Sequence, residues 1–141
     1  LIVIDPSAIL AVLLGEPHAA ALVARIESER PGVRYLSAAS YLEAGAVIAG
    51  RHLKAPVKGI EILDEFLSNL EIDIVPLDSE QARIGLRARI AYGRGFGAAA
   101  GLNFGDCFSY ALAKSKSAPL LYVGNDFDKT DIVAALRRSK R

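Results

Sequence analysis

At 141 residues the chain has the length of one domain with its own core, and 17 basic against 16 acidic side chains leave a net charge of +1 that selects no partner. The apolar share is 52% and mean hydropathy is +0.28, yet charges interrupt every apolar run before the roughly 20 residues that a membrane-spanning helix needs. The single cysteine, Cys107, excludes an internal disulfide and fits a reducing cytoplasm.

With only His18 and His52 beside Cys107, a zinc site built from sulfur and imidazole is excluded as well. A bound metal would take oxygen ligands, which points to Mg2+ or Mn2+. The last five residues carry Arg137, Arg138, Lys140 and Arg141. Such a tail is either solvated and frayed or an electrostatic contact for a polyanion.

The chain opens on Leu1-Ile2-Val3-Ile4-Asp5, four aliphatic residues followed by a carboxylate. This reads as a buried strand of a parallel sheet. No basic segment precedes it, so no signal peptide is expected. Pro6-Ser7 reads as a strand-to-helix junction. Ala8 to Leu14 is a nearly all-apolar helix closed by Gly15, to be buried or covered by a partner. A second helix is expected from Glu16-Pro17 to about Ser28, with Leu22, Val23 and Ile26 on one face. Residues 34–38 read as a strand. A helix follows from about Ser40 to Arg51, in which Ser40 and Glu43 have capping-box spacing.

Ile60, Leu63, Phe66 and Leu67 mark an amphipathic helix over 56–69. Residues 72–75 form a strand, and a helix runs from about Ser79 to Tyr92. Gly93 to Gly101 holds four glycines among nine residues and reads as a flexible loop. Leu102 to Asp106 starts a helix to about Lys116. Residues 119–123 form a fourth strand, and 130–137 a last short helix. There is no internal repeat. Strands alternate with helices, so the class is α/β with a mainly parallel sheet in one domain spanning 1–141.

Ligands of such sheets bind outside the carboxyl ends of the strands. Asp5 ends the first strand, Glu43 lies on the helix after the second, Asp106 starts a helix after the glycine-rich loop, and Asp126 follows the fourth strand. The four can therefore converge on one edge. Clustered carboxylates raise one another's pKa, and a divalent cation removes that cost. Three of them also have a plainer reading: Asp106 as a helix-dipole partner, Glu43 as half of a capping box, Asp126 as a turn residue.

Three stretches are more specific. They are Asp5-Pro6-Ser7-Ala8-Ile9-Leu10, Ser37-Ala38-Ala39-Ser40-Tyr41-Leu42-Glu43, and Gly101-Leu102-Asn103-Phe104-Gly105-Asp106-Cys107-Phe108-Ser109-Tyr110-Ala111-Leu112-Ala113. With Gly124-Asn125-Asp126-Phe127 they resemble a PIN domain nearly end to end, and more narrowly a VapC-type toxin of a toxin–antitoxin pair. The resemblance implies a three-layer α/β/α fold with a sheet of four or five strands. It also implies a Mg2+- or Mn2+-dependent endoribonuclease held inactive by a VapB-type antitoxin, often directed at tRNA, and a homodimer. By position, Asp5 and Asp106 match the family's principal metal ligands, Glu43 the third acid and Asp126 the fourth, with Asp128 close by.

The chain departs from the pattern twice. Pro6 stands where Thr or Ser is common, so a hydroxyl beside the metal must come from Ser7. The loop 96–100 lacks the polar and basic residues usual there. Asn103 either positions substrate or caps the Asp106 helix. Arg87, Arg89 and Arg94 are either a solvated face or holders of RNA phosphates. Cys107 reads as a packed core thiol, and His18 and His52 as surface residues. Two rival readings remain. One is a haloacid dehalogenase-like phosphatase, which wants a second Asp where Ser7 stands. The other is a PIN-like binding module without activity, with a groove for a partner helix beside segment 8–14 and the helix that follows it.

Overall fold

A computed structural model describes residues 1–137. In chain order it contains β1 (Ile2–Ile4), α1 (Pro6–Leu13), α2 (Ala19–Glu27), β2 (Arg34–Ser37), α3 (Ala38–Arg51), α4 (Pro56–Asn69), β3 (Asp73–Val75), α5 (Ser79–Tyr92), α6 (Asp106–Lys116) and β4 (Leu120–Leu121). Beyond Arg137 the basic tail falls outside the described residues.

β1 is fully buried because both of its faces are covered. Side chains alternate along a strand. Ile2 and Ile4 therefore join one core with Ile9, Leu22, Ile26, Leu36, Leu63 and Leu67 from α1 to α4 and β2. Val3 points the other way, into a second core with Ala88, Leu102, Tyr110, Leu112, Leu120 and Phe127. Helices α1 to α4 thus cover one face and α5 and α6 the other, giving the expected three layers. Most of the apolar surface of α1 is consumed in the first core, where Ala8, Ile9 and Ala11 are buried, and Leu14 alone of its end stands 42% exposed.

The four strands are all parallel in the order β3-β2-β1-β4. The chain steps outward from β1 to β2 to β3, then returns across the sheet to β4 on the other side of β1. The strand order therefore reverses between β1 and β4. In open parallel sheets the ligand crevice lies at that switch point, outside the carboxyl ends of the strands. Asp5 and Asp126 follow the two strands that bound it.

Helices α4 and α5 have the bounds expected from the sequence. Three expectations need correction. First, α2 starts at Ala19, because Glu16 to His18 form a turn tied back to α1 through Glu16 N–H on the Ala11 carbonyl, 2.9 Å. Second, Ser40 does not cap α3. β2 runs directly into the helix, Ser37 is its N-cap residue, and Ser40 lies inside and fully buried. Third, 130–137 is not helical. Leu120 N–H bonds to the Val133 carbonyl at 2.9 Å and Ala135 N–H to the Leu120 carbonyl at 2.8 Å, so this segment bridges the outer edge of β4. The Asp131 carboxylate is held by the Tyr110 hydroxyl at 2.6 Å and by Lys114 at 2.8 Å. Contacts across the sheet edge have overridden local helix propensity.

Candidate active site

Asp5 is 4% exposed and sits where β1 ends, as the N-cap of α1. Its Oδ2 accepts hydrogen bonds from the Ser7 N–H at 3.0 Å and the Ser7 hydroxyl at 2.6 Å. The Ser7 oxygen in turn accepts from the Val123 N–H at 3.0 Å. Ser7 thus ties the ends of β1 and β4 together and fixes the carboxylate between them. The hydroxyl that Pro6 cannot supply is present one residue later. Asp5 Oδ1 is buried and has no hydrogen-bond partner among the described residues. Burial raises the pKa of this carboxyl. The Ser109 hydroxyl and the Ser7 donors pull it down, and the Asp126 charge adds to the rise.

Asp106 opens α6 and is 8% exposed. Its Oδ2 accepts from the Asn103 N–H at 3.0 Å, while the Asn103 side-chain oxygen accepts from the Asp106 N–H at 2.8 Å. This reciprocal pair has the logic of a capping box. Through it Asn103 caps the turn and orients Asp106. Burial pushes the Asp106 carboxyl up to about 7, with the Asn103 N–H opposing and the nearby Asp5 and Asp126 charges adding to the rise.

Glu43 approaches from α3. The residue is exposed as a whole, but its carboxylate end lies against the backbone of Gly105. A Cβ added at Gly105 would meet Glu43 Oε1 at 1.8 Å. Gly105 has φ −63° and ψ −37°, a conformation open to any residue. The glycine is needed for room and not for backbone freedom. Partial burial raises the Glu43 pKa, followed by the charge of Asp5. Asp126, half-buried in the turn after β4, acts electrostatically on both Asp5 and Asp106. Asp128 is exposed and accepts from the Tyr122 hydroxyl at 2.8 Å. Of the two neighbours, Asp126 is the one that faces the cluster.

All four acids singled out in the sequence therefore meet at one edge of the sheet. The arginines are not a single group. Arg89 donates to the Leu102 carbonyl at 2.6 Å and lies 5.5 Å from the centre of the Phe96 ring. It pins the two ends of the glycine-rich loop, which the Arg94 N–H closes on the Leu102 carbonyl at 2.9 Å. Arg87 and Arg94 are exposed. Cys107 is buried, its thiol directed at the Asn103 carbonyl, and burial pushes its pKa up, which suits a packed thiol. His18 and His52 are exposed, as read from the sequence. Gly105 and Ser109 were not singled out as site residues. Their only signal was membership of the Leu102-to-Ala113 segment.

A buried carboxylate oxygen without a donor, surrounded by like charges, is the electrostatic signature of a site that a cation completes. Among the described residues no three His, Cys, Asp or Glu side chains form a preformed cage. Mg2+ takes one or two carboxylates directly and keeps several waters. Asp5 and Asp106 are the two buried acids and could hold it. Glu43 and Asp126 stand at the rim, where they could hold or orient water.

Comparison with known proteins gives the family. The family model for the PIN domain matches residues 2–133. Ribonuclease VapC28 of Mycobacterium tuberculosis is 45% identical over 136 residues, covering 96% of this chain and 98% of the relative. A Ribonuclease VapC of Mycolicibacterium smegmatis is 42% identical over 132 residues, covering 94% and 98%. Two solved structures share the fold. VapC20 of M. tuberculosis, described as a sarcin–ricin loop cleaving toxin, has a TM-score of 0.69 at 17% identity over 98% of this chain and 100% of its own. A toxin–antitoxin complex from Klebsiella pneumoniae has a TM-score of 0.71 at 16% identity over the same shares. With an acidic cluster at the switch point and a family match across nearly its whole length, the chain belongs to the PIN-domain family, and its curated relatives are VapC ribonucleases.

Proposed function

We propose that this protein is a VapC-type toxin, an endoribonuclease that hydrolyses RNA phosphodiester bonds with the help of Mg2+ or Mn2+. The observation that carries the reading is the buried, donorless Oδ1 of Asp5 among three further carboxylates. When bound, the cation would neutralise the scissile phosphate and lower the pKa of a water. Asp5 and Asp106 would hold it. Ser7 and Asn103 hold those carboxylates in place through the bonds described above. Glu43 and Asp126 orient the attacking water on the open side. Asp106, with its pKa near neutrality, is largely deprotonated only above about pH 7, so cation binding should strengthen as pH rises. Arg87 and Arg94 are exposed and free to meet phosphates, whereas Arg89 is committed to the loop. A haloacid dehalogenase-like phosphatase is disfavoured because Ser7 serves Asp5 as a donor where that chemistry needs a second acid.

An antitoxin of the VapB type is the inhibitory partner in this reading, and tRNA is the substrate class to test first. Among the described residues no helix is long and apolar enough to cross a membrane, which is compatible with a cytoplasmic site of action. A homodimer is part of the same proposal. Leu86 and Phe104 stand 63% and 69% exposed and are apolar side chains that such an interface would cover. Light scattering should return twice the monomer mass.

Purified protein should cleave single-stranded RNA or tRNA in Mg2+ or Mn2+, lose that activity in EDTA, and regain it on adding the cation back. Undiminished cleavage in EDTA would remove the metal from the reading. Gly105→Ala should lower the cleavage rate on the order of 10²-fold, the typical cost of misplacing a catalytic group by about an ångström. Its melting temperature should stay close to the parent's, because the atom displaced is the end of a flexible Glu43 side chain.

A further inference from the structure

Asp128 stands outside the acidic cluster, in a cavity of about 240 Å3 that it lines with Tyr122, Ala134, Leu136 and Arg137. The sheet places this cavity beside the crevice. Leu120 pairs in parallel with Ala134, so the chain after Ala134 runs toward the carboxyl ends of the strands, the edge that carries the acids. Arg137 and Val123 are each three residues past that pair and lie level with one another. Tyr122 falls between Leu121, whose carbonyl accepts from the Asp5 N–H at 2.9 Å, and Val123, whose N–H donates to the Ser7 hydroxyl at 3.0 Å. One wall of the cavity is thus continuous with the backbone that fixes Asp5.

The cavity carries a cation and an anion that do not neutralise each other. Neither Arg137 nor Asp128 takes part in an ion pair among the described residues. The Tyr122 hydroxyl donates to Asp128 Oδ1 at 2.8 Å and holds that carboxylate in place. A carboxylate has about four lone-pair sites, so both Asp128 oxygens can still accept from a ligand. Tyr122, Ala134 and Leu136 supply an apolar wall. A ligand that suits all three features brings an anion to Arg137, a flat body to the wall, and adjacent neutral donors to Asp128. We propose that this cavity is a subsite for one unpaired guanosine of the RNA, next to the scissile phosphate, with Asp128 reading the base N1–H and N2–H and Arg137 holding a phosphate. The inference rests on the proposed ribonuclease reading and deepens it by naming part of the sequence that is cut. Guanine alone among the RNA bases sets two donors side by side on its Watson–Crick edge. Each other base sets an acceptor beside its donor, which would oppose the carboxylate. Unpaired RNA is commonly read in this manner, with splayed bases lying on aromatic or guanidinium planes and bonded along their edges.

The test is a pool of single-stranded RNA oligonucleotides of random sequence, cleaved by the intact protein in Mn2+, with the product ends sequenced. Sites with guanine at one fixed position beside the cut should be cleaved about 10- to 100-fold faster than sites with any other base there, the discrimination of a good bidentate contact. Asp128→Ala should remove that preference. Asp128→Asn should remove it too, because the amide puts a donor where guanine needs an acceptor. Arg137→Ala should keep the preference and raise KM severalfold on a defined guanine-containing oligonucleotide. Its RNA affinity, read by fluorescence anisotropy, should depend less steeply on salt, the logarithmic slope falling by about 0.7 for one lost phosphate contact on a single strand. Asp128 and Arg137 are both exposed, so each variant should melt with the parent. Cleavage without a guanine preference, a preference that survives in either Asp128 variant, or an unchanged salt slope in Arg137→Ala would overturn the subsite while leaving the nuclease reading intact. A parent protein that cleaves no member of the pool in Mn2+ would overturn both.

Discussion

Asp5→Asn is expected to lower cation-dependent RNA cleavage by several kcal/mol of lost transition-state stabilisation, on the order of 10³-fold at 1.36 kcal/mol per decade. Asp106→Asn should do the same. Neither should unfold the protein, because the carboxylates oppose the apo fold. Burial raises the pKa of Asp5, Glu43 and Asp106, and like charges nearby add to the rise. A carboxyl whose folded pKa is raised keeps its proton in the native state after the unfolded chain has released it. Stability therefore falls as pH rises through that interval. For Asp106 the interval runs from 3.8 to about 7. In EDTA the melting temperature should decline across it, and Asp106→Asn should flatten the decline. Added Mn2+ should recover stability most strongly above pH 7, where the ligands are ionised. Parental cleavage by both asparagine variants, or an apo melting temperature that climbs from pH 4 to 7, would sink this account.

Much of that site was legible in the residues. A four-residue aliphatic run ending in a carboxylate can hardly be anything but a central parallel strand whose acid stands at the crevice, and β1 with Asp5 is that. Helix α4 followed from its 3.6-residue periodicity. What stayed hidden depends on partners distant in the chain. The need for glycine at position 105 comes from Glu43 on another helix, and its ordinary backbone angles give no local sign. Ser40 has the spacing of a cap, but the direct entry of β2 into α3 puts it inside the helix, against Ser109. The true reciprocal cap, Asn103 with Asp106, was visible only as one of two roles for Asn103. Residues 130–137 have helix-like composition, and the free edge of β4 recruits them instead.

Arg34 is the other residue whose importance local sequence conceals, and its replacement should have the largest effect on stability. It begins β2, at the end of the sheet opposite the acids, and is 6% exposed. No carboxylate pairs with it among the described residues' ion pairs. Its guanidinium serves backbone carbonyls instead. Nε and Nη2 donate to Glu29 at 2.9 and 2.5 Å, and Nη1 donates to Leu70 at 2.6 Å. Glu29 follows the end of α2 and Leu70 is the C-cap of α4. The positive charge thus sits at the negative ends of two helices, where cations are favoured. Arg34→Ala removes these bonds and leaves shielded carbonyls without donors, which should cost about 3 kcal/mol or more, a fall in melting temperature of roughly 10 °C for a chain of this size. Lysine cannot reproduce the planar fork and should recover less than half of that loss. Because the fork lies away from the crevice, Arg34→Ala should retain the parent's specific activity when assayed well below its melting range. An unchanged melting temperature in Arg34→Ala, or a recovery by Arg34→Lys that is complete, would show that the two helix ends are held by something other than this side chain.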